Sequence, residues 1–231
     1  MRTLAIGDIH GCSQALHALL DAVKPDGDDL LITLGDYVDR GPDSYGVIEQ
    51  LLTLHATGRL VALRGNHEDM MLAARTDLES FRGWLACGGA ETLASYSPFG
   101  DAGKLVDVPE EHWHFLETVC VSWHETDTHI FVHANAYPEL PMAEQPDYML
   151  RWEPIGREWS APHGSGKVLV CGHTQQRSGL PLNLGHLVCI DTWAYGDGWL
   201  TCLDVATGRV RQANQAGRVR TLWLAEVGEA E

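Results

Sequence analysis

Five short segments of this chain combine carboxylates, imidazoles, amides and arginines with glycine. They are Gly7-Asp8-Ile9-His10-Gly11, Gly35-Asp36-Tyr37-Val38-Asp39-Arg40-Gly41, Arg64-Gly65-Asn66-His67-Glu68, His133-Ala134-Asn135 and Gly172-His173-Thr174. Oxygen ligands mixed with imidazoles, and no thiolate among them, suit Mn²⁺, Fe or Co better than a closed structural zinc site, which favours cysteine. Together the five segments predict a catalytic metal centre.

The position of these segments matters more than their composition. A single Asp-x-His pair in a loop is more often hydrogen-bonded to backbone, and a lone histidine on a strand is usually structural. Each of the five segments, however, directly follows a short apolar run typical of a buried strand, as at residues 3–6, 30–34 and 60–63. Because such strand ends gather at one edge of a sheet, we expect the polar side chains to meet there.

The elements around these segments follow a layered α/β pattern. Ser13 is the expected N-cap of a first helix, and Asp43 or Ser44 that of a second, while residues 68–120 are mostly helical. Strands are predicted near residues 121–125, 129–133, 167–171, 187–191, 199–205 and 209–212, the last two joined by a hairpin turn at residues 206–208. We predict one domain over residues 1–231, with a frayed acidic tail at 226–231.

Charge and cysteine content limit the possible partners. The formal net charge is −16, with only 16 lysines and arginines, which argues against nucleic acid and against anionic lipid as partners. A carboxylate already stands at position 8, so no signal peptide is expected, and no apolar run approaches the length of a membrane span. The six cysteines are scattered without a CxxC pair, which predicts reduced thiols and a cytoplasmic protein.

The five segments resemble the motifs GDxHG, GDxxDRG, GNHE, H and GH of the phosphoprotein phosphatase branch of the calcineurin-like metallophosphoesterases. The resemblance extends from Gly7 to Thr174, and the chain length is similar to that of the small bacterial and phage phosphatases of this branch. It implies a fold of two mixed β-sheets sandwiched between helices. The metal site would then lie at the carboxyl ends of the strands.

The resemblance also implies a role for each residue of the site. Two divalent metal ions are expected, with Mn²⁺ as first choice and Fe, Co, Zn or Ni as alternatives, about 3.5–4 Å apart and sharing the water that attacks phosphorus. Asp8 and His10 would hold one ion, Asp36 would bridge the pair, and Asn66, His133 and His173 would complete the second site. His67 would protonate the leaving oxygen, and Asp39 would orient His67.

Arginines in the same loops are candidates for phosphate binding. Arg40 and Arg64 flank the motif residues, and a planar guanidinium matches phosphoryl oxygens in a way that lysine does not. The alternative for both is an ordinary surface ion pair. Relatives have a further arginine before the last ligand, for which Arg151 is the obvious candidate, although the register around Trp152 does not match cleanly and Arg157 lies nearby.

Other residues near the motifs allow two interpretations each. Asp191 and Thr192 follow a strand and are expected to orient the site residues without binding the metal themselves. Trp152, Trp193 and Tyr195 fall in loops near the later motifs, where they could line a substrate entrance or take part in ordinary packing. Trp84 lies among apolar neighbours and is expected in the core.

A chain with these motifs has three candidate functions. The first is a phosphatase for protein phosphoserine, phosphothreonine or phosphotyrosine, with wider activity on small phosphomonoesters. The second is a symmetric dinucleoside polyphosphate hydrolase, a sister branch that usually has a longer chain, alanine in place of Asp39, and GNHD where this chain has Glu68. The third, an inactive binding module, predicts a missing ligand or a missing His67, and none is missing. Oligomeric state and natural substrate stay open.

Overall fold

The computed structural model describes residues 1–97, 102–156 and 161–227. Its strands are β1 (Thr3–Ile6), β2 (Leu30–Thr33), β3 (Leu60–Ala62), β4 (Trp123–Glu125), β5 (His129–Val132), β6 (Val168–Cys171), β7 (Leu182–Asn183), β8 (Leu187–Cys189), β9 (Leu200–Asp204), β10 (Arg209–Ala213) and β11 (Val219–Trp223). Its α-helices are α1 (Ser13–Val23), α2 (Ser44–His55), α3 (Asn66–Ala74), α4 (Leu78–Trp84), α5 (Ala90–Tyr96), α6 (Glu110–His114) and α7 (Asp147–Trp152).

The strands form two mixed sheets, which confirms the predicted α/β architecture. The first sheet has the order β11-β10-β9-β1-β2-β3, and the second has the order β4-β5-β6-β8-β7. Strands β1, β2 and β3 are parallel, as are β5, β6 and β8, whereas the remaining pairs are antiparallel. The carboxyl ends of the parallel strands carry the five polar segments.

The core is divided into layers by the two sheets. Their facing sides share one apolar cluster, which includes Ile32, Phe131, Val170 and Leu203. A larger cluster lies between the first sheet and α1 to α6, and a smaller one packs around α7 on the second sheet. Each strand end that carries a polar segment is therefore fixed by apolar contacts behind it.

The predicted boundaries need several corrections. Ser13 is the first helical residue rather than the N-cap, which is Cys12, and the Ser13 hydroxyl instead donates to Asp43 at 2.5 Å. Asp43 caps α2 as predicted, accepting the backbone N–H of Gly46 at 2.9 Å. The elements α7, β7 and β11 were not predicted. Helix α7 has only six residues and β7 only two, while β11, although five residues long, shows no regular alternation of apolar and polar residues.

The ends of the described segments limit two of the predictions. Leu224–Glu226 forms a 3₁₀ turn after β11, and residues 228–231, most of the predicted frayed tail, lie outside the described part. Arg157, the alternative to Arg151, also lies outside it. Among the residues that are described, no helix is long and apolar enough to cross a membrane.

Candidate dimetal site

Asp36 is the centre of the candidate site, at the turn that follows β2. Its Oδ2 atom lies 3.4 Å from Nε2 of His10 and 3.9 Å from Nε2 of His67, while its Oδ1 atom lies 3.4 Å from Nε2 of His133. Burial alone would raise the pKa of this carboxyl, but the facing imidazoles, among them His67 with its raised pKa, outweigh it and hold the pKa below its ordinary value. Asp36 is therefore an anion that several imidazoles face at once.

Two of these imidazoles are oriented by backbone carbonyl groups. Nδ1 of His10 donates to the carbonyl of Val38 at 2.9 Å, and Nδ1 of His133 donates to the carbonyl of Leu34 at 2.8 Å. Burial lowers the pKa of both histidines, which favours neutral rings. In each ring the proton is then on Nδ1, so the Nε2 lone pair points towards Asp36. A hydrogen bond on the far nitrogen that fixes the tautomer is typical of histidines that bind metal.

Asn66, the first residue of α3, brings a third type of ligand atom to the same place. Its Oδ1 atom lies 3.0 Å from Nε2 of His133 and 3.0 Å from Nδ1 of His173. Nε2 of His173 is bound to the carbonyl of Trp152 at 3.1 Å, and burial lowers the pKa of His173 to about 4. Two imidazole lone pairs thus face the carbonyl oxygen of Asn66. All three atoms are hydrogen-bond acceptors, and none supplies a proton to the others. A cation between them would satisfy all three.

Asp8 lies beside this cluster, at the end of β1. Its carboxylate accepts the backbone N–H of His173 at 3.0 Å, and a Cβ at position 172 would come within 1.9 Å of it, so only glycine fits there. Burial, and then the nearby carboxylates of Asp191 and Asp36, raise the pKa of Asp8 well above its ordinary value. Burial also raises the pKa of Asp191 to about 6. Three buried carboxylates in one place repel each other unless a cation neutralises them.

The donor set therefore fits divalent cations. Within the described segments, two groups of potential ligands share Asp36: one is completed by His10 and His67, the other by His133 and His173, and within each group the ligand atoms lie within 4.8 Å of one another. Asp8 belongs to neither group, and its carboxylate accepts the backbone N–H of His173. The two groups contain the predicted ligands His10, Asp36, His133 and His173 together with His67, which was predicted as a proton donor and not as a ligand.

His67 and Asp39 form a buried pair beside the cluster. Nδ1 of His67 lies 2.6 Å from Oδ2 of Asp39, and both side chains are almost wholly buried. Burial alone would lower the pKa of His67, but the carboxylates of Asp36 and Asp39 outweigh it and raise the pKa. The pair leaves Nε2 of His67 directed at the same centre as Asp36. This geometry suits an imidazole that carries a proton to a reacting oxygen.

Asp39 has two further partners that were not predicted. Nε1 of Trp84 lies 2.9 Å from each of its carboxylate oxygens, and the hydroxyl of Thr92 donates to Oδ1 at 2.7 Å. Trp84 was expected to be a simple core residue, and it is indeed buried. The two glycines at 88 and 89 between Trp84 and Thr92 were the available signal, since paired glycines inside a helical stretch often mark close backbone approach.

Glu68 connects two of the loops by hydrogen bonds to their backbone N–H groups. It is fully buried, and its carboxylate accepts the backbone N–H groups of Asp36 at 2.8 Å, Tyr37 at 2.7 Å and Gly65 at 2.8 Å. Burial and the Asp36 charge raise the pKa of Glu68 to about 8, against the opposing effect of these N–H groups. Glu68 was predicted only as part of the motif, and its contacts give it a structural task in holding the turns that carry Asp36 and Asn66.

Strained backbone is concentrated in these loops. Among the described residues other than glycine, positive φ angles occur at seven positions, and five of them were predicted as site residues: His10, Asp36, Asp39, Arg40 and His173. A left-handed conformation costs most residues about 1–2 kcal/mol. Such strain persists only where the surroundings enforce it, and it clusters at functional sites.

The three candidate arginines differ in how much of their guanidinium is already bound. Arg40 is exposed, with Nη1 3.0 Å from Nε2 of His10 and the guanidinium 4.9 Å from the ring centre of Tyr195. Arg64 donates to the carbonyl of Glu117.

Arg151 is buried and forms ion pairs with Asp69 and Asp147, both at 2.7 Å. Of the three, Arg40 therefore lies nearest to the cluster with its guanidinium most open. Arg151 lies in the short helix α7, and its guanidinium is already bound by two carboxylates of this chain.

Aromatic side chains lie at the edge of the cluster. The ring of Tyr195 packs edge-on against that of His10 at 5.0 Å, and Trp193 packs against Tyr195. Trp152 is 43% exposed while its carbonyl binds His173. Asp191 accepts the backbone N–H of Trp193 at 3.1 Å, which places that carboxylate behind the aromatic edge. Tyr195 and Trp152 thus contact histidines of the cluster, and Trp193 contacts Tyr195.

Comparison with known proteins gives the same family as the motifs. A family model described as calcineurin-like phosphoesterase matches residues 1–177. A serine/threonine-protein phosphatase 1 from Salmonella typhimurium is 37% identical over 135 residues, which cover 58% of this chain and 58% of that protein. A symmetrical bis(5'-nucleosyl)-tetraphosphatase from a Janthinobacterium species is 28% identical over 229 residues, covering 95% of this chain and 69% of that protein. The chain thus matches little more than half of the first relative's length.

Solved structures extend the similarity to the whole fold. A cold-active protein tyrosine phosphatase aligns with a TM-score of 0.63 and 17% identity, covering 99% of this chain and 80% of that one. At this identity the alignment shows a shared fold alone. The shared fold, the geometry of the site and the match to the family model are therefore consistent with one another.

Proposed function

Because the chain belongs to the calcineurin-like phosphoesterase family, we propose that it is a metal-dependent phosphatase for phosphomonoesters, with protein phosphoserine and phosphothreonine as its main substrates. Phosphotyrosine and small phosphate esters are secondary substrates. The observation that carries the proposal is the buried His67–Asp39 pair directed at the Asp36 cluster. The working unit is taken to be one domain of residues 1–231.

Two divalent ions are proposed to bind at this cluster, Mn²⁺ first. One ion would be held by Asp8, His10 and Asp36, and the other by Asp36, Asn66, His133 and His173. When bound, such a pair neutralises phosphoryl charge and lowers the pKa of a water molecule between the ions. The lone pairs that face Asn66 and the raised pKa of Asp8 beside Asp191 and Asp36 support this assignment, because a cation would stabilise both arrangements.

His67 is proposed to donate a proton to the oxygen that leaves. A serine or threonine alkoxide is a poor leaving group and needs that proton, whereas a nucleotide phosphate leaves readily without one. Asp39 binds Nδ1 of His67, which keeps Nε2 directed at the reacting centre and favours the protonated ring. A site with such a pair is therefore better suited to alkyl phosphates than to phosphoanhydrides.

Arg40 is proposed to contact the phosphoryl oxygens directly. It is exposed beside the cluster, with Nη1 3.0 Å from Nε2 of His10 and its guanidinium over the ring of Tyr195. Arg64 and Arg151 are proposed to contribute through the field that they create, since Arg64 is bound to Glu117 and Arg151 to two carboxylates. Positive charge close to phosphate is effective in a site shielded from water.

Hydrolysis of dinucleoside polyphosphates is the second candidate. The Janthinobacterium protein supports it, because its similarity extends over almost the whole chain. Against it stand Asp39 and Glu68, at which that branch differs, and the proton donor that a phosphoanhydride does not require. We further propose a cytoplasmic location, which agrees with six free cysteine thiols.

The decisive experiment compares substrates on one protein sample. The chain is stripped of metal, reloaded with Mn²⁺, and tested on phosphoserine, phosphothreonine and phosphotyrosine peptides beside a dinucleoside tetraphosphate. The proposal expects faster turnover of the serine and threonine peptides, and it expects His67→Asn to slow these far more than the dinucleotide. Faster turnover of the dinucleotide, unaffected by His67→Asn, would replace the proposal with the second candidate.

A further inference from the structure

We propose that Trp84 and Thr92 are positioning residues for proton transfer, which act by fixing the Asp39 carboxylate that orients His67. The inference rests on the proposed function, since it concerns the same reaction. It assigns a task to the segment from Trp84 to Thr92, whose residues belong to none of the five metal-binding motifs. Neither residue is proposed to touch substrate or metal.

The indole of Trp84 fixes the plane of the Asp39 carboxylate. Nε1 lies 2.9 Å from both oxygens, so one N–H group is shared between them. The indole is 1% exposed and packs in the large cluster between the first sheet and the helices. Because a buried indole has little freedom to move, rotation of the carboxylate would break this shared hydrogen bond.

The hydroxyl of Thr92 fixes the same residue at two points. It donates to Oδ1 of Asp39 at 2.7 Å and accepts the backbone N–H of Asp39, also at 2.7 Å. A second hydroxyl, that of Ser44, lies 3.0 Å from it. Thr92 is completely buried, so water does not compete for these bonds. The Oγ1 atom of Thr92 thus binds both the side chain and the backbone of Asp39.

The segment between the two residues also holds the strained loop in place. Asp39 and Arg40 have φ angles of 73° and 68°, a costly conformation for two successive residues with side chains. The backbone N–H of Arg40 donates to the carbonyl of Gly88 at 3.2 Å.

Close packing explains the two glycines of this segment. A Cβ at Gly88 would lie 2.6 Å from the Arg40 nitrogen, and one at Gly89 would lie 2.4 Å from the indole of Trp84. A kink between α4 and α5, where Gly88 has a φ of 112°, brings this backbone close.

The consequence concerns the direction of the imidazole. The Asp39 carboxylate binds His67 through Oδ2, while Trp84 and Thr92 occupy its remaining acceptor positions. If these donors were lost, the carboxylate could rotate, and Nε2 of His67 would no longer be held towards the reacting centre. Proton transfer depends steeply on such alignment, whereas metal binding by the Asp36 cluster does not involve these donors.

The first test is spectroscopic and needs no turnover. In protein with labelled histidines, loaded with diamagnetic Zn²⁺, the Nδ1 proton of His67 should give a strongly downfield NMR signal because its acceptor is a carboxylate at 2.6 Å. The signal is assigned by its loss in His67→Asn. The Nδ1 protons of His10 and His133, which donate to backbone carbonyls, serve as internal references.

The expected result is selective. Thr92→Val and Trp84→Phe should shift or broaden the His67 signal and leave the two reference signals in place. Thr92→Ser, which keeps the hydroxyl, should give the wild-type His67 signal. Trp113→Phe is the matched control, since Trp113 is buried but stacks on Arg75 instead. An unchanged His67 signal in both variants would overturn the proposal, whether or not the wild-type protein proves to be a phosphatase.

The second test uses a series of phosphate esters that differ in their leaving group. For phenyl phosphate, Thr92→Val should lower kcat about tenfold, a fraction of the 10²–10⁴-fold that a general acid contributes, with KM nearly unchanged. For 2,4-dinitrophenyl phosphate, which needs no proton, kcat should change less than about twofold. An equal loss on both esters would mean a general structural role and would refute the proposal.

Discussion

The carboxylate of Glu68 accepts the backbone N–H of Asp36 at 2.8 Å, so a side chain from the third loop fixes the backbone of the second. The same carboxylate binds the N–H of Gly65 just before its own helix. The turns that carry Asp36 and Asn66 therefore share one anchor. Their relative position depends on a residue that is not itself expected to bind metal.

Glu68→Gln should loosen this anchor. A glutamine keeps one acceptor but turns an NH₂ group towards backbone N–H groups, which leaves buried donors unpaired at a cost of about 1–3 kcal/mol in the free energy of unfolding. Metal affinity should fall as well. Urea denaturation and metal titration measure the two effects, with the exposed Glu110→Gln as the control. Wild-type stability and affinity in Glu68→Gln would contradict the shared anchor.

Asp36→Asn should lose both metal and activity. The amide removes the negative charge that both groups of potential ligands share. We expect bound Mn²⁺, measured by elemental analysis, to fall below one ion per chain. We expect kcat to drop about a thousandfold or more, because bound metals contribute several kcal/mol to the transition state. Asp204→Asn, at the end of β9, is the control for the change in charge. Full metal content in Asp36→Asn would exclude a bridging role.

His67→Asn should separate binding from turnover. The variant keeps the ligand set of the proposed metals, so metal content should stay at the wild-type level. Hydrolysis of phosphoserine peptides should slow about 10²–10⁴-fold, the usual contribution of a general acid. Activated aryl phosphates should be much less affected. A uniform loss on all substrates, or loss of the metals, would remove His67 from its assigned role.

Replacement of arginines should distinguish phosphate binding from structural support. Arg40→Met should lower kcat/KM about 10–100-fold, as expected for loss of a charged hydrogen bond of about 1.5–3 kcal/mol, with little change in stability. Arg151→Met should chiefly lower the free energy of unfolding, because it frees Asp69 and Asp147 from their ion pairs. Steady-state kinetics and thermal unfolding of both variants are the measurements. The opposite pattern would exchange the two roles.

Asp29 should make stability depend on acid pH. Its carboxylate accepts the side chain of Arg2, and also the backbone N–H groups of Arg2 and Asp26 at 2.8 and 2.9 Å, which holds the pKa below its ordinary value. With a pKa lower in the folded state, the stabilisation is complete above the unfolded value of about 3.9 and is lost as the pH falls through the folded value.

The variant Asp29→Asn gives the corresponding measurement. At pH 7 its free energy of unfolding should lie about 1–3 kcal/mol below that of the wild type, as expected for a lost partner of a buried charged hydrogen bond. This difference should stay constant down to about pH 5 and shrink below about pH 4. A constant difference from pH 7 to pH 2 would show that the Asp29 carboxylate does not titrate as described.

Most of the site's position could be predicted from sequence because chemistry and local structure coincide there. Glycine next to Asp8 or Asp36 marks a strand end where only a small residue fits, as the 1.9 Å approach at position 172 also shows. The apolar runs before these motifs were long enough to identify β1, β2 and β3 within one residue. Local signals of this kind can be recognised in the sequence without knowledge of how the chain packs.

The parts that were missed depend on contacts between distant residues. Trp84 has the same apolar surroundings in sequence as an ordinary core tryptophan, and only its indole N–H, 45 positions from Asp39, reveals its role. Arg151 likewise pairs with Asp69 of α3, 82 positions earlier, besides the i,i+4 pair with Asp147 in its own helix. Neither the Trp84–Asp39 contact nor the Arg151–Asp69 contact leaves a periodic or local pattern in the sequence.

The order of strands in the first sheet has a consequence for biosynthesis. Strand β1 pairs with β2 on one side and with β9 on the other, so β1 is synthesised well before one of its two partners. Asp8 meets the backbone of His173 across 165 positions, a separation typical of contacts that form late in folding. The nascent chain therefore exposes its early carboxylates well before their partners exist. Capture of metal should therefore follow the pairing of β1 with β9 and the contact between Asp8 and His173, because only then is the set of ligands in place.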